Sequence, residues 1–118
     1  MASTENKLDF KDGEVDVGTA GTAVALASST TLVKSVVIQA KGGNSVDILL
    51  GASTVVGAAG ATRRGVRLAA NETFNIDASS AEGLGLRGAR AGDGFIDMSE
   101  IFIDSPSSTP GVSWFGHA

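Results

Sequence analysis

The chain has 118 residues, 42% apolar and 19% charged, so it is long enough for one domain and does not have the composition of a disordered protein. Nine basic against thirteen acidic residues give a net charge of −4, so nucleic acid is not expected as a partner. The absence of cysteine excludes disulfides and thiolate metal sites, and the lack of a signal peptide or a bilayer-spanning apolar run predicts a cytoplasmic product without a membrane partner.

The N-terminal residues 1–14 are polar and alternate in charge, a composition that cannot bury much surface. We expect them to form a flexible arm, followed by a single domain over residues 15–118. Val15 and Val17 are the candidates for a first short strand, after a turn at Asp12 and Gly13.

Short apolar stretches, alternating or continuous, then predict a series of strands. They are residues 22–26, 32–40, 46–50, 54–56, 65–68, 72–76, 100–104 and 111–115. The stretch 32–40 is rich in β-branched residues and apolar on both faces, as in a central strand. Gly42, Gly43 and Asn44 tolerate positive φ, so we expect a turn that joins 32–40 and 46–50 into a hairpin. Residues 78–95 have no sustained periodicity and predict a long loop.

About seven or eight short strands without an amphipathic helix predict an all-β domain, either an antiparallel β-sandwich or a jelly roll. The chain has no tyrosine and few aromatic residues, so Val, Ile, Leu and Ala must fill most of the core. Neighbouring residues on a strand point to opposite faces. We therefore expect Trp114 in the core and Phe115 at an interface between subunits.

The sequence offers little for catalysis or cofactor binding. Residues 83–88 match the G-x-G-x-x-G string of dinucleotide folds, but the strand before it and the helix after it are missing. His117 is the one histidine and the penultimate residue. We expect no catalytic residues and no cofactor, and the chain is predicted not to be an enzyme.

Acidic residues cluster near residues 9–16 and 93–100, but neither cluster has the ligand spacing of an EF-hand loop. No metal site is therefore predicted, and these side chains are interpreted as solvated turn residues. Asp97 is the exception, because it lies between Ile96 and Met98. We expect its carboxylate to accept backbone amide hydrogen bonds at the start of a strand.

Arginine forms the one concentration of basic charge in the sequence. The residues are Arg63, Arg64 and Arg67, followed later by Arg87 and Arg90. Because arginine is common at protein interfaces, these residues and Phe115 are candidate contacts with a partner protein or a neighbouring subunit. The alternative is that the arginines are ordinary solvated residues, and the sequence leaves both interpretations open.

In order along the chain, these segments resemble a group of short β-sandwich proteins among the structural components of tailed bacteriophages. The matching pieces are residues 21–26 (GTAVAL), 33–40 (VKSVVIQA), Asn44, 48–51 (ILLG), 65–72 (GVRLAANE), 96–104 (IDMSEIFID) and 111–114 (GVSW). The resemblance implies a virion protein that decorates or cements the outside of the capsid, as a homotrimer bound to the major capsid protein or another virion protein. It implies no active-site residues. Residues 1–14 and 78–95 depart from the pattern, and attachment could reside there.

Two alternatives remain open. Within the same class, the chain could be a tail, baseplate or head-fibre component. From another class, carbohydrate-binding modules share the sandwich architecture. Such modules present exposed aromatic residues to sugar rings, and the six aromatic residues of this chain are expected to leave too few once a core is filled.

Overall fold

The computed structural model describes residues 9–58, 62–78 and 95–118. Its strands are β1 (Phe10–Asp16), β2 (Val24–Ala25), β3 (Leu32–Val33), β4 (Ser35–Ala40), β5 (Ile48–Gly51), β6 (Val66–Leu68), β7 (Thr73–Asp77), β8 (Ile96–Asp97), β9 (Phe102–Asp104) and β10 (Gly111–His117). A 3-10 turn, Met98–Glu100, joins β8 to β9. The prediction of an all-β chain is confirmed.

Two four-stranded antiparallel sheets form the two layers of a sandwich. The front sheet has the strand order β1–β10–β4–β7, and the back sheet has the order β2–β9–β5–β6. Strands β3 and β8 pair as a separate two-stranded ribbon. The predicted antiparallel sandwich is therefore also confirmed.

Alternation of side chains along the central strands explains the core. In β4, Val36 and Ile38 are buried against the back sheet, whereas Val37 between them faces solvent. In β10, Trp114 is buried and Phe115 is exposed, as expected from their adjacent positions. The core takes side chains from both sheets, the ribbon and the segments next to them: Val17, Leu26, Val33, Val36, Ile38, Ala40, Ile48, Leu50, Leu68, Met98, Ile103, Val112 and Trp114.

Trp114 is the largest core side chain, and its position depends on two neighbours. Its indole Nε1 donates a hydrogen bond to the backbone carbonyl oxygen of Leu26 at a distance of 3.3 Å. Gly13 lies directly opposite it on β1. A Cβ at Gly13 would lie 2.8 Å from the indole Nε1, so a glycine is needed for the ring to lie against β1.

Part of the predicted N-terminal arm of residues 1–14 is a strand. Residues 10–14, predicted to belong to it, form most of β1, which pairs with β10 from Phe10 opposite His117 to Asp16 opposite Gly111. A charged sequence fits here because β1 is an edge strand and its alternate side chains face solvent. Residues 1–8 lie outside the described part of the chain.

The predicted hairpin of residues 32–40 and 46–50 is wrong. Strand β4 lies between β10 and β7 in the front sheet, whereas β5 lies between β9 and β6 in the back sheet. The turn after β4 therefore carries the chain from one layer to the other. Both edges of β4 are occupied by strands that are distant in sequence, so none is left for its neighbour along the chain.

Smaller differences concern strand limits. The stretch 32–40 is divided at Lys34 into β3 and β4, and the expected strand 54–56 is reduced to one bridge between Val56 and Arg64. Strand β8 was not anticipated. Most of the predicted loop 78–95 lies outside the described residues.

Candidate interaction surface on the front sheet

The outward side of the front sheet carries an exposed apolar patch. Phe115 of β10 lies opposite Val37 of β4, and its ring stacks on Phe10 of β1 with centroids 5.6 Å apart and planes at 11°. Phe10 is 57% exposed, Phe115 54% and Val37 43%. We call Phe10, Val37 and Phe115 the apolar patch.

Acidic and amide side chains surround the apolar patch. Asp12 lies opposite Phe115 on the β1 side, and Asn75 lies opposite Val37 on the β7 side. Four carboxylates occupy outward positions on this face, and one ammonium accompanies them. These residues are Asp12, Glu14, Asp16, Asp77 and Lys41. The described part of the face therefore carries a net negative charge.

Lys41 neutralises one end of this acidic rim. Its Nζ forms ion pairs with Glu14 and, at 2.9 Å, with Oδ1 of Asp16. The hydrogen bond to Glu14, followed by the one to Asp16, raises the pKa of Lys41 above its ordinary value. Glu14 and Asp16 are well exposed to solvent and Lys41 is half-buried, so the ion pairs contribute little to stability. Asp12 takes part in neither of these two ion pairs.

Two shallow hollows flank Phe115. One, of about 460 Å³, is lined by Asp12, Glu14, Val37, Gln39, Ser113 and Phe115 among others. The second, of about 340 Å³, lies toward Asn75, Asp77 and His117. Val37 and Phe115 line both hollows and so form the ridge between them. Such a surface can receive protruding side chains of a partner, with apolar contact at the ridge and polar contacts at the rim.

A third, open groove of about 800 Å³ lies between β1 and the segment that contains β2. Trp114 and Leu26 lie at its floor, and Lys11 spans it by donating from Nζ to the carbonyl of Leu32 at 3.0 Å. This groove is the gap between two edge strands of the sandwich. Of its lining residues, Leu26 and Trp114 belong to the buried core described above.

The predicted interface residues do not form one site. Phe115 lies on the front sheet, whereas Arg63, Arg64 and Arg67 lie on and just before β6, an edge strand of the back sheet. Arg63 donates to the carbonyl of Gly57 at 3.3 Å and is partly buried. Arg64 and Arg67 are exposed. Arg87 and Arg90 lie outside the described residues.

Phe10, Asp12 and Val37 were missed by the sequence reasoning. Two of them fall within residues 1–14, which were interpreted as an arm. The signal was present, because Phe10, Asp12 and Glu14 alternate with Lys11, Gly13 and Val15 in the period-2 pattern of a strand. The high charge of the segment concealed that pattern.

Two other carboxylates have structural partners. Asp97 accepts hydrogen bonds from the backbone N–H of Thr31 at 3.1 Å and of Ser99 at 3.0 Å, as predicted. It does so as the last residue of β8 and the N-cap of the 3-10 turn, whereas the prediction placed it at the start of a strand. Asp104 is buried and was not anticipated. It accepts from the backbone N–H groups of Gly21, Gly57 and Ser105, which places three loops around one carboxylate.

Exposed aromatic residues are more numerous than the sequence led us to expect. Phe10, Phe95 and Phe115 are all more than 40% exposed, and Trp114 is buried. Lys34 lies over the ring of Phe95, 5.5 Å from its centroid. The number of aromatic residues therefore does not argue against a sugar-binding surface.

In the part of the chain that the structure describes, no group of three or more histidine, aspartate or glutamate residues is placed to hold a metal ion. Across the same residues there is no helix with the length and apolar character needed to span a membrane. In comparisons with known proteins, the chain matches no protein-family model, no curated protein and no solved structure. Its function is therefore inferred from its own residues and surfaces.

Proposed function

We propose that the chain is a structural protein of a bacteriophage virion, which binds the outside of the head and stabilises it as a capsid decoration or cement protein. The observation that carries the proposal is the apolar patch of Phe10, Val37 and Phe115 with its acidic rim on an outward sheet face. Contiguous exposed apolar surface of this kind is typical of protein interaction sites. The resemblance of the strand pattern to phage structural proteins supports the same function.

The size of the apolar patch suits an interaction in which one copy of the protein binds weakly and many linked copies bind strongly. Completing the burial of three half-exposed apolar side chains contributes roughly 1 kcal/mol each. Such a sum, about 3 kcal/mol, is smaller than the free-energy cost of association between two free molecules. A homotrimer that binds a symmetric shell of major capsid protein would gain the rest through effective concentration.

Mass spectrometry of purified particles of the phage that encodes the chain tests this location. A protein that decorates the shell should be present in hundreds of copies for each particle, because a capsid repeats its surface lattice many times. A tail, baseplate or head-fibre component, the alternative in the same class, would be present in far fewer copies. Absence of the chain from purified particles would contradict both.

Binding of the free protein to particles that lack it tests the surface. Replacing Phe115 by serine should reduce occupancy by roughly tenfold or more, because it removes the centre of the apolar patch. Leu32→Ser is the matched control, since Leu32 is also an exposed apolar residue but lies on β3. Equal occupancy of both variants would show that the front sheet does not face the capsid.

The N-terminal arm is a second element of the proposal. We infer that it becomes ordered on the shell or on a neighbouring subunit, as charged segments often do on binding. Because residues 10–14 belong to β1, the deletion that tests the arm is limited to residues 2–8. Undiminished occupancy of particles by this variant would exclude a role of the arm in attachment.

A second candidate function, carbohydrate binding, is favoured by one specific observation. The stacked rings of Phe10 and Phe115 lie beside a hollow lined by Asp12 and Gln39. Sugar rings pack on aromatic faces, while carboxylate and amide groups bond their hydroxyls. A glycan array with hits that disappear in Phe115→Ser would support this function, and an array without hits would exclude it.

A further inference from the structure

The larger hollow beside Phe115, of about 460 Å³, has an unbalanced charge, and we call it the acidic hollow. Asp12 and Glu14 supply two carboxylates to its lining, and no lysine or arginine of the described residues belongs to it. Glu14 forms an ion pair with Lys41. Lys11 is on the opposite face of β1, where its Nζ donates to a backbone carbonyl of β3. The carboxylate of Asp12 therefore gives the acidic hollow a negative charge.

The rest of the lining offers hydrogen-bond acceptors and an aromatic ring. Gln39 donates from Nε2 to the carbonyl of Asn71 at 3.1 Å, which leaves its amide oxygen as an acceptor. The hydroxyl of Ser113 is a further acceptor. Phe115 lies opposite Asp12 in the register, so an aromatic surface adjoins the carboxylate. The acidic hollow thus fits a side chain that carries a positive charge and several donors.

We propose that the acidic hollow receives an arginine side chain of the capsid surface. The inference rests on the proposed function and deepens it, because it names the chemistry of the partner at the same contact. A guanidinium group can bond the Asp12 carboxylate with two N–H donors while its plane lies against the Phe115 ring. A lysine ammonium has neither the planar fork nor the stacking surface.

The pair with Asp12 matters because the contact excludes water. In the free protein Asp12 is exposed and solvated. Docking of the apolar patch on the capsid removes that water, so an unpaired carboxylate at this position would oppose binding. Loss of one partner of a buried charge pair mainly accelerates dissociation, whereas loss of a charge at the rim of a contact mainly slows association. Binding kinetics therefore separate a pair inside the contact from long-range attraction.

Kinetics of the free protein on immobilised particles that lack it test the pair. Asp12→Asn should raise the dissociation rate constant at least ~10-fold, and Asp12→Lys at least ~100-fold, because the guanidinium then loses its partner or meets a like charge. Asp16→Asn is the control on the same face, since Asp16 pairs with Lys41 and does not line the hollow. Glu100→Lys is the control for net charge, because Glu100 is exposed in the 3-10 turn. Both controls should dissociate like the wild type.

Chemical modification of the particles, before the protein is added, tests the identity of the partner side chain. Phenylglyoxal, which reacts with arginine, should reduce binding at least ~10-fold, whereas acetylation of lysine amines should leave it unchanged. On phenylglyoxal-treated particles the wild type and Asp12→Asn should bind equally, because the pair is already broken. Electron microscopy establishes that treated particles are intact. Binding that survives phenylglyoxal and is lost after acetylation would refute the arginine contact.

Failure of this inference and failure of the proposed function give different results. If Phe115→Ser lowers occupancy while both Asp12 variants bind like the wild type, the arginine contact is refuted and the capsid function stands. A wild-type protein that does not bind the particles would contradict both. Unchanged circular dichroism and Trp114 fluorescence establish that each variant is folded.

Discussion

At the scale of single residues, Asp104 holds a carboxylate that is only 1% exposed. Its Oδ2 accepts from the Gly57 N–H at 2.8 Å, and its Oδ1 accepts from the N–H groups of Gly21 and Ser105 at 3.1 and 2.8 Å. A buried charge is tolerated where hydrogen bonds replace the lost water. Here the donors come from three loops, so one side chain connects segments that are far apart in sequence.

Replacement of Asp104 by asparagine should lower the free energy of unfolding by about 2–3 kcal/mol. The amide keeps the size of the side chain, but its NH2 group would face a backbone N–H donor. Urea unfolding followed by Trp114 fluorescence measures the change. Asp12→Asn, at an exposed position, is the control and should change stability by less than about 0.5 kcal/mol. Similar losses in the two variants would show that the three hydrogen bonds contribute little.

Asp97 makes the stability of the fold dependent on pH. Hydrogen bonds from the backbone N–H and hydroxyl of Ser99, and from the N–H of Thr31, hold the pKa of its carboxyl below the ordinary value of 3.8. The folded protein therefore takes up this proton at a lower pH than the unfolded chain. The stabilisation is complete above the unfolded pKa and disappears as the pH falls through the folded value.

Asp97→Asn should accordingly be less stable than the wild type at about pH 7, and this difference should diminish below about pH 4. Urea unfolding at a series of pH values measures the difference between the two proteins. Ser99→Ala, which removes the side-chain hydrogen bond and retains the backbone one, should show a smaller effect with the same sign. A difference that stays constant into the acid range would contradict this assignment.

The two aspartates show how far sequence reasoning reaches at this scale. The role of Asp97 could be predicted because one of its donors, Ser99, is two residues away at the start of a turn. Asp104 could not be, because the N–H of Gly57 lies 47 positions away and that of Gly21 lies 83 positions away. Local patterns contain no information about donors that only the fold brings near.

At the scale of elements, the turn after β4 changes layers, and Asn44 connects it to the start of β10. Its Oδ1 accepts from the Gly111 N–H and its Nδ2 donates to the Gly111 carbonyl, each at 3.0 Å. The turn is thus attached to the strand that pairs with β4, rather than to β5, with which the sequence predicted a hairpin. Residues 42–44 (Gly, Gly and Asn) correctly predicted that the chain turns after β4. They did not indicate that the next strand, β5, lies in the other sheet.

Asn44→Ala removes both hydrogen bonds and should destabilise the protein by about 1–3 kcal/mol. Asn44→Asp retains the acceptor and loses the donor, so its effect should be intermediate. The adjacent exposed residue provides the control, since Ser45→Ala alters the same turn without touching Gly111. If thermal unfolding shows equal stability for the Asn44 and Ser45 variants, the attachment of this turn does not stabilise the fold.

At the scale of the whole molecule, strands differ in how many neighbours they have. Strands β4 and β10 lie inside the front sheet with partners on both sides, whereas β1, β2, β6 and β7 are edges within the described residues. An edge strand leaves part of its backbone open to water. The centre of the front sheet should therefore open only when the whole molecule unfolds.

Amide hydrogen exchange should distinguish the central strands from the edge strands by their protection. Amides of Val36–Ala40 and Val112–Trp114 are expected to exchange slowest, at rates set by global unfolding, because each lies in a strand with two neighbours and most are in the core. Amides of β6 should exchange much faster. Equal protection of β6 and β10 would contradict this order of stability.

The period-2 alternation of apolar residues in the sequence was sufficient by itself to determine the all-β class and the inward position of Trp114 with Phe115 outward. The alternation of side chains between two faces is a local property of extended backbone. It can therefore be predicted without knowing which strands pair. Tertiary structure alone decided that β4 and β5 lie in different sheets and that Phe10 stacks on Phe115 from the opposite end of the chain. Every strand offers the same backbone donors and acceptors, and only the packing of the complete core selects which strands pair.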